Sequence, residues 1–449
     1  MLAFLGFLTV IGMLALVMTK KTSPTIALIS TPIITGIIAS FFIPDKEGVI
    51  NAVKNMIGLG GLISSGIGTV AATGVMFIFS ILFFGVLTDA GTFRPIIKRI
   101  LGVIGADPVK ITIGTAILAM IVHLDGSGAV TFLICIPPLL PVYDAVGMKR
   151  TTLASVVAMA AGTMNIVPWG GPTIRAATAL EIPVMDLFTP VIPAVLCGLA
   201  TVLVFAFLLG KAEKKRIGAA TLSGVTQHEE ELNDEQKSLL RLKLFPINVL
   251  LIISTVVGLI VGGHYSIGPA VVFMVAFVLA VIVNYPSPAL QKARVDAHAK
   301  SAIMMASVLF AAGAFTGIMR GTGMITQMAQ ALTSLIPASM GRFFPVITGI
   351  ISMPASLLFD PDSFYFGVLP VLGNTAAGLG VEAVNVARAA IIGQMTTGFP
   401  VSPLTPATFL LVGLSGVDFG DHQKRTIPLV FAVTIVMLIV CLLIGAIRI

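Results

Sequence analysis

The run His123 to Pro138 (HLDGSGAVTFLICIPP) sets a carboxylate, a hydroxyl and an imidazole (Asp125, Ser127 and His123) beside Gly126 and Gly128, between apolar stretches. A second run, Leu357 to Pro370 (LLFDPDSFYFGVLP), places Asp360, Asp362 and Ser363 in the same kind of setting. Ionisable groups inside apolar runs are costly, and where they occur they usually face a cavity with a task. Carboxylates among hydroxyls and carbonyls suit a divalent cation, which takes hard oxygen ligands, or protons taken up by buried acids. Spacing does not separate the two. The competing role for Asp125 and Asp362 is capping of the helix that follows, since Asp is a favoured N-cap residue.

Two further stretches carry the features of a broken helix. In Asn165 to Pro172 (NIVPWGGP), Pro168 removes a donor and Gly170-Gly171 loosens the backbone; Thr397 to Pro406 (TGFPVSPLTP) does the same with three prolines. A broken helix exposes carbonyls on one side and N–H groups, with a positive dipole end, on the other, which suits an anion. Asn165, Thr173, Ser402 and Thr405, with Ser127 and Thr131 of the first run, add neutral hydrogen-bonding groups. Arg175 is placed to neutralise a substrate carboxylate or to pair with a site aspartate or Glu181. Trp169 lies in the break as a wall of the site or a wedge. The candidate substrate-binding set is therefore Ser127, Gly128, Thr131, Asn165, Gly170, Gly171, Thr173, Arg175, Ser363, Ser402 and Thr405. Asp125, Asp360 and Asp362 are candidate metal ligands, and His123, Asp125 and Asp360 candidate proton-handling groups. His123 fits equally a packed histidine bonded to its surroundings.

The elements that must hold these residues are membrane helices. Of 449 residues, 57% are apolar and 10% charged, and the mean hydropathy is +1.05, which overrides the two or three soluble domains that length alone suggests. The net charge of +7 comes from Lys and Arg in short connections, so it is read as topology, not as nucleic-acid binding. Cys135, Cys197 and Cys441 lie in apolar runs and give neither a disulfide framework nor metal spacing. Met1 to Met18 reads as a retained first span, not a signal peptide.

In chain order, spans are expected over 1–17, 23–42, 71–87, 187–209, 245–261, 267–283, 302–319 and 427–447, with 53–68 an interfacial helix or bent lead-in. Between them, 109–141 and 343–373 read as re-entrant hairpins. The arm 109–122 is roughly 21 Å long, short of a ~30 Å hydrocarbon core. Residues 151–180 and 384–412 are the broken helices. The segment 211–244, with Glu229, Glu230, Glu231, Asp234 and Glu235, is a polar linker, and Lys292, Arg294 and Lys300 mark a basic loop. The fold class is thus all-α and polytopic, with about eleven transmembrane helices.

The halves 1–210 and 245–449 repeat this plan. Pro168 to Thr173 matches Pro400 to Thr405 in its proline and threonine placement, an offset of 232 residues. With Lys20-Lys21 inside, most Lys and Arg fall inside and only Lys46, Lys54, Arg320, Arg342 and Arg448 fall outside. Both termini are then extracellular and the repeats inverted, as in duplicated transporters.

At HLDGSGAVTFLI (His123 to Ile134), NIVPWGGPTIRAA (Asn165 to Ala177), FDPDSF and GFPVSPLTPATFLL, the chain resembles the citrate–divalent metal:proton symporters within the larger ion transporter superfamily. The resemblance covers essentially the whole chain. It implies a homodimer in the cell membrane, with a scaffold and a mobile transport domain in each protomer. It also implies uptake of citrate as a complex with Mg²⁺ or Ca²⁺, together with H⁺, by an elevator-like motion and without a prosthetic group. Sodium-coupled relatives carry Ser-Asn-Thr at the hairpin tips. Here Asp125 to Ala129 and Asp360 to Ser363 stand in its place, which argues against sodium there. The alternative is a proton- or sodium-coupled carrier of free di- or tricarboxylates or another organic anion. An intramembrane enzyme lacks a paired nucleophile or a metal-binding His pair, and a channel would not accumulate substrate.

Overall fold

The computed structural model describes residues 1–19, 21–42, 49–217, 234–262, 265, 267–334 and 338–448. Lys20, Lys46 and the acidic residues Glu229, Glu230 and Glu231 lie outside them. Among the described residues there are helices and no strands. Seven helices among the described residues are long and apolar enough to cross a membrane, or eight if the bent pair Ala383–Val401 and Pro406–Ser415, angled by 43°, is one span. That count falls short of about eleven because Leu2–Leu16, Pro24–Ala39 and Pro269–Asn284 are apolar but short and 150–180 is split by its break. Two of the seven are the arms of the first hairpin.

The first half runs α1 (Leu2–Met18), α2 (Pro24–Ala39), α3 (Val49–Asp89), α4 (Arg94–Ile104), hairpin arms α5 (Pro108–Val122) and α6 (Gly128–Val146), broken helix α7 (Arg150–Met164) and α8 (Gly171–Leu180), α9 (Val184–Phe188) and α10 (Ile192–Ile217). A short α11 (Asp234–Leu239) precedes the second half. There the order recurs: α12 (Phe245–Gly262), α13 (Pro269–Asn284), α14 (Pro288–Gly321), α15 (Met324–Thr333), hairpin arms α16 (Phe344–Ala355) and α17 (Leu369–Gly378), broken helix α18 (Ala383–Ile391) and α19 (Pro406–Ser415), and α20 (Phe419–Leu443). In the second hairpin, α17 is entered through a π-helical turn, Ser363–Val368.

Two expectations are corrected. Residues 53–68 are not a separate interfacial segment but part of the 41-residue α3. One of its glycines, Gly66, serves a helix crossing. A Cβ on Gly66 would stand 2.1 Å from the Gly313 carbonyl oxygen and 2.9 Å from Gly317 Cα of α14, so the two backbones touch where side chains would hold them apart. Likewise Lys292, Arg294 and Lys300 are not in a loop. They ride the first turns of the 34-residue α14, where Arg294 reaches Asp89 at the end of α3 at 2.9 Å.

The packing falls into two groups. α3 and α14 lie together, with α2 on α14 and α13 on α3, while α5, α7, α10, α16, α18 and α20 form the second group with the two hairpins and breaks. α8 and the hairpin tips touch α3, α14 and α1 across the boundary.

Candidate functional site

The first hairpin closes through one 3-10 turn, His123–Asp125, and Gly126, whose φ of +74° needs a residue without a Cβ. Asp125 Oδ1 accepts the Ser127 N–H at 2.8 Å, and Ser127 Oγ then caps α6 by accepting from Val130 N–H at 3.4 Å. The cap of α6 is therefore Ser127, whereas Asp125 holds the turn before it. Among the described residues Asp125 Oδ2 has no hydrogen-bond partner. Thr131 donates to the Ser127 carbonyl at 2.8 Å, and Gly128 abuts the second break: a Cβ there would be 2.6 Å from the Phe399 ring.

Fully buried His123 links this hairpin to both breaks. Its Nδ1 lies 2.8 Å from Thr131 Oγ1 and its Nε2 3.3 Å from Asn165 Oδ1, while its ring stacks on Phe399 at 5.7 Å. Asn165, which caps the end of α7, donates through Nδ2 to the Met395 carbonyl at 2.6 Å. The Met395 N–H donates to Ser356 Oγ at 2.9 Å, Ser356 donates to Gln394 Oε1 at 2.8 Å, and Tyr365 donates to the Gln394 carbonyl at 2.7 Å. One chain of polar contacts thus runs from the first hairpin through both breaks to the second hairpin. A buried network of this kind fixes its members relative to one another.

The first break is short. Gly170 is required because a Cβ would fall 2.1 Å from the Asn165 carbonyl oxygen. Trp169 is a wedge: its Nε1 donates to the Leu124 carbonyl at 2.7 Å, and its ring stacks on Phe84 and meets Phe273 edge-on, each at 5.5 Å. The second break begins earlier than expected. α18 ends at Ile391, Gln394 and Met395 leave helical geometry, and Met395 takes φ +51°. Both α8 and α19 start without a side-chain cap hydrogen bond.

The second tip uses the same Asp device. Asp360 Oδ1 accepts the N–H groups of Asp362 and Ser363, each at 3.1 Å. Asp362 is paired: Arg175 Nε donates to its Oδ1 at 2.7 Å, with the two side chains only 10% and 11% exposed. Of the partners expected for Arg175, the structure selects this aspartate, while Glu181 pairs with Arg320.

The structure brings His123, Thr131 and Asn165 into one network and joins Arg175 to Asp362. It spends other candidates on the backbone. Thr173 donates to the Ile166 carbonyl at 2.7 Å, Ser402 to Ser356 at 2.5 Å and Thr405 to Phe399 at 2.8 Å. Asp125, Asp360 and Asp362 do not form one metal centre: among the described residues no three His, Cys, Asp or Glu groups are gathered to hold an ion, and Asp362 is committed to Arg175. Ser356, Tyr365, Gln394 and Met395 belong to the network and were not singled out from the sequence. Only the polar Gln394 beside Gly393 in an apolar helix offered a signal.

An all-α chain with several helices long and apolar enough to cross a membrane, in which one buried polar network joins the first hairpin, both helix breaks and the second hairpin, has the build of a membrane transporter. The family model CitMHS, citrate transporter, matches residues 2–393, and the chain belongs to this family of secondary citrate transporters. A citrate transporter of Bacillus subtilis (strain 168) is 42% identical over 448 residues, spanning 100% of both chains. A Mg(2+)/citrate complex secondary transporter of the same organism is 41% identical over 449 residues, again spanning 100% of both. Among solved structures, the Alcanivorax borkumensis YdaH transporter, described as having an unusual topology, superposes with a TM-score of 0.61 at 12% identity, covering 95% of this chain and 98% of that one. Neisseria gonorrhoeae MtrF gives 0.57 at 12% identity over 92% and 94%. At such identities the likeness is one of fold.

Proposed function

We propose that the protein imports citrate as a complex with a divalent metal ion, Mg²⁺ or Ca²⁺, together with protons. The observation that carries this reading is the charge of the centre. The two tips carry three carboxylates, Asp125 at the first and Asp360 and Asp362 at the second, against one guanidinium, Arg175, which is already committed to Asp362. A bare citrate trianion would meet excess negative charge there, whereas a divalent cation removes most of the ligand's charge and gives the tip carboxylates an attractive partner. The 41% identity to a Mg(2+)/citrate complex transporter supports the same choice. The substrate sits between the hairpin tips, with the open N-termini of α8 and α19 directed at its carboxylates, and His123, Asp125 and Asp360 handle the protons.

The recurrence of element order supports two inverted repeats, 1–210 and 245–449, joined by the linker 211–244, with both termini outside the plasma membrane. We further propose an elevator motion, suggested by the packing of the helices into two groups, in which hairpins and broken helices move against α1–α3 and α12–α15, within a homodimer. Uptake of labelled citrate into proteoliposomes, with and without Mg²⁺ or Ca²⁺, tests the reading. Uptake should collapse when the metal is chelated. Equal uptake after chelation would sink it and favour a carrier of the free tricarboxylate.

A further inference from the structure

Among the described residues two non-glycine residues adopt positive φ. Met395, in the second break, is held there by the Asn165 and Ser356 hydrogen bonds. The other is Glu181, at φ +56° and ψ +41° just past the end of α8. It closes a helix-ending motif in which the Ile182 N–H returns to the Ala177 carbonyl at 2.9 Å, a position where glycine is preferred because it has no Cβ to strain. The protein uses glycine for this motif elsewhere. α6 ends at Gly147 (φ +74°), with Met148 N–H on the Tyr143 carbonyl, and α19, the counterpart of α8 in the second half, ends at Gly416 (φ +61°), with Val417 N–H on the Val412 carbonyl. Only at the end of α8 is the strained choice made.

What the glutamate adds is an ion pair. Glu181 Oε2 meets Nη1 of Arg320, in the last turn of α14, with the side chains 28% and 33% exposed. α8 belongs to the group holding the breaks, and α14 to the group holding α3. We infer that Glu181 and Arg320 form a latch that holds this conformation by tying the substrate-carrying group to the surrounding helices. The inference rests on the proposed motion of one group against the other. A pair that spans the moving boundary separates when the groups slide, so it biases the equilibrium toward the state in which it is made and leaves the other state untouched. Partial exposure keeps the bias small enough to be overcome in every cycle, and sensitive to salt.

Glu181→Gly is the decisive variant, because it deletes the charge while giving the backbone the residue it prefers, so folding is not at risk. Glu181→Gln keeps the strain and removes only the charge. Spin labels on Cys197, which is exposed while Cys135 and Cys441 are buried, and on Ile303→Cys of α14, 64% exposed, report the distance between the groups. The protein is studied substrate-free in nanodiscs. Both Glu181 variants should shift the population ratio away from the present distance by about 1.5- to 5-fold, the range for an exposed pair. Added KCl should move the wild type the same way and leave the variants unchanged. Unaltered ratios in both variants, or a shift in Glu181→Gly alone, would overturn the latch. A single distance in every variant, with and without Mg²⁺ and citrate, would instead overturn the motion on which it rests.

Discussion

At the first hairpin tip Asp125 Oδ1 accepts one amide, from Ser127, and the neighbouring polar side chain is His123, which is tied to Asn165. At the second tip Asp360 Oδ1 accepts two amides, from Asp362 and Ser363, and the neighbour is a second carboxylate tied to Arg175. The backbone solution is shared: an aspartate folds the turn between two helical arms. The charge solution is not. The first tip leaves its acid without a basic partner among the described residues, and the second brings a cation from the other half of the chain to cancel its extra acid. The two tips thus share a backbone device and differ in how their charge is met.

The sharpest way to break this comparison is to remove the compensation at the second tip. Arg175→Met leaves Asp362 buried and unpaired, a loss on the order of 3–5 kcal/mol, so little folded protein should be recovered by size-exclusion chromatography. Arg175→Met with Asp362→Asn removes both charges and should restore most of the folded yield. If Arg175 also meets substrate, uptake stays low in the double variant; full recovery of uptake would make the pair purely structural.

A smaller effect is expected from the tip acids themselves. In Asp125→Asn and Asp360→Asn the amide oxygen still accepts the same backbone N–H groups, so both variants should fold with nearly unchanged Tm. Metal-dependent citrate uptake should fall by about 10- to 100-fold in Asp125→Asn, as for loss of a charged partner at a metal-bearing site. The loss should be less in Asp360→Asn, whose charge is shared with Asp362. Equal losses would mean that the tips are chemically equivalent, and no loss at Asp125 would return it to the turn alone.

The turns at His123–Gly126 and Asp360–Ser363 and the first break are legible in the sequence because their signals are local: a polar tip between apolar helices, and proline with glycine inside an apolar run. The start of the second break is not. Nothing at Gly393-Gln394-Met395 forbids a helix, and the chain leaves helical geometry because Asn165 and Ser356, distant in sequence, take the Met395 carbonyl and N–H. The long α3 is hidden for the opposite reason. What carries the helix back through 53–68 is a crossing that no local pattern shows, Gly66 lying against Gly313 and Gly317 of α14. The Arg175–Asp362 pair spans 187 residues, and no pattern in either segment alone selects it over Glu181.

The smallest effect tests whether the tips also differ in how rigidly they are built. Ser127 Oγ caps α6 through the Val130 N–H at a long 3.4 Å, whereas Asp362, which precedes the second hairpin's π-helical turn, makes no side-chain cap bond. Ser127→Ala should therefore cost about 0.5–1 kcal/mol, the lower part of the N-cap range, seen as a small fall in Tm. Thr131 donates to the Ser127 carbonyl and not to its hydroxyl, so the His123 network survives and uptake should stay within about twofold, as for a change worth less than 0.5 kcal/mol at the site. A larger loss of uptake than of stability would place the Ser127 hydroxyl on the substrate, making the first tip a recognition element and leaving the second to balance charge.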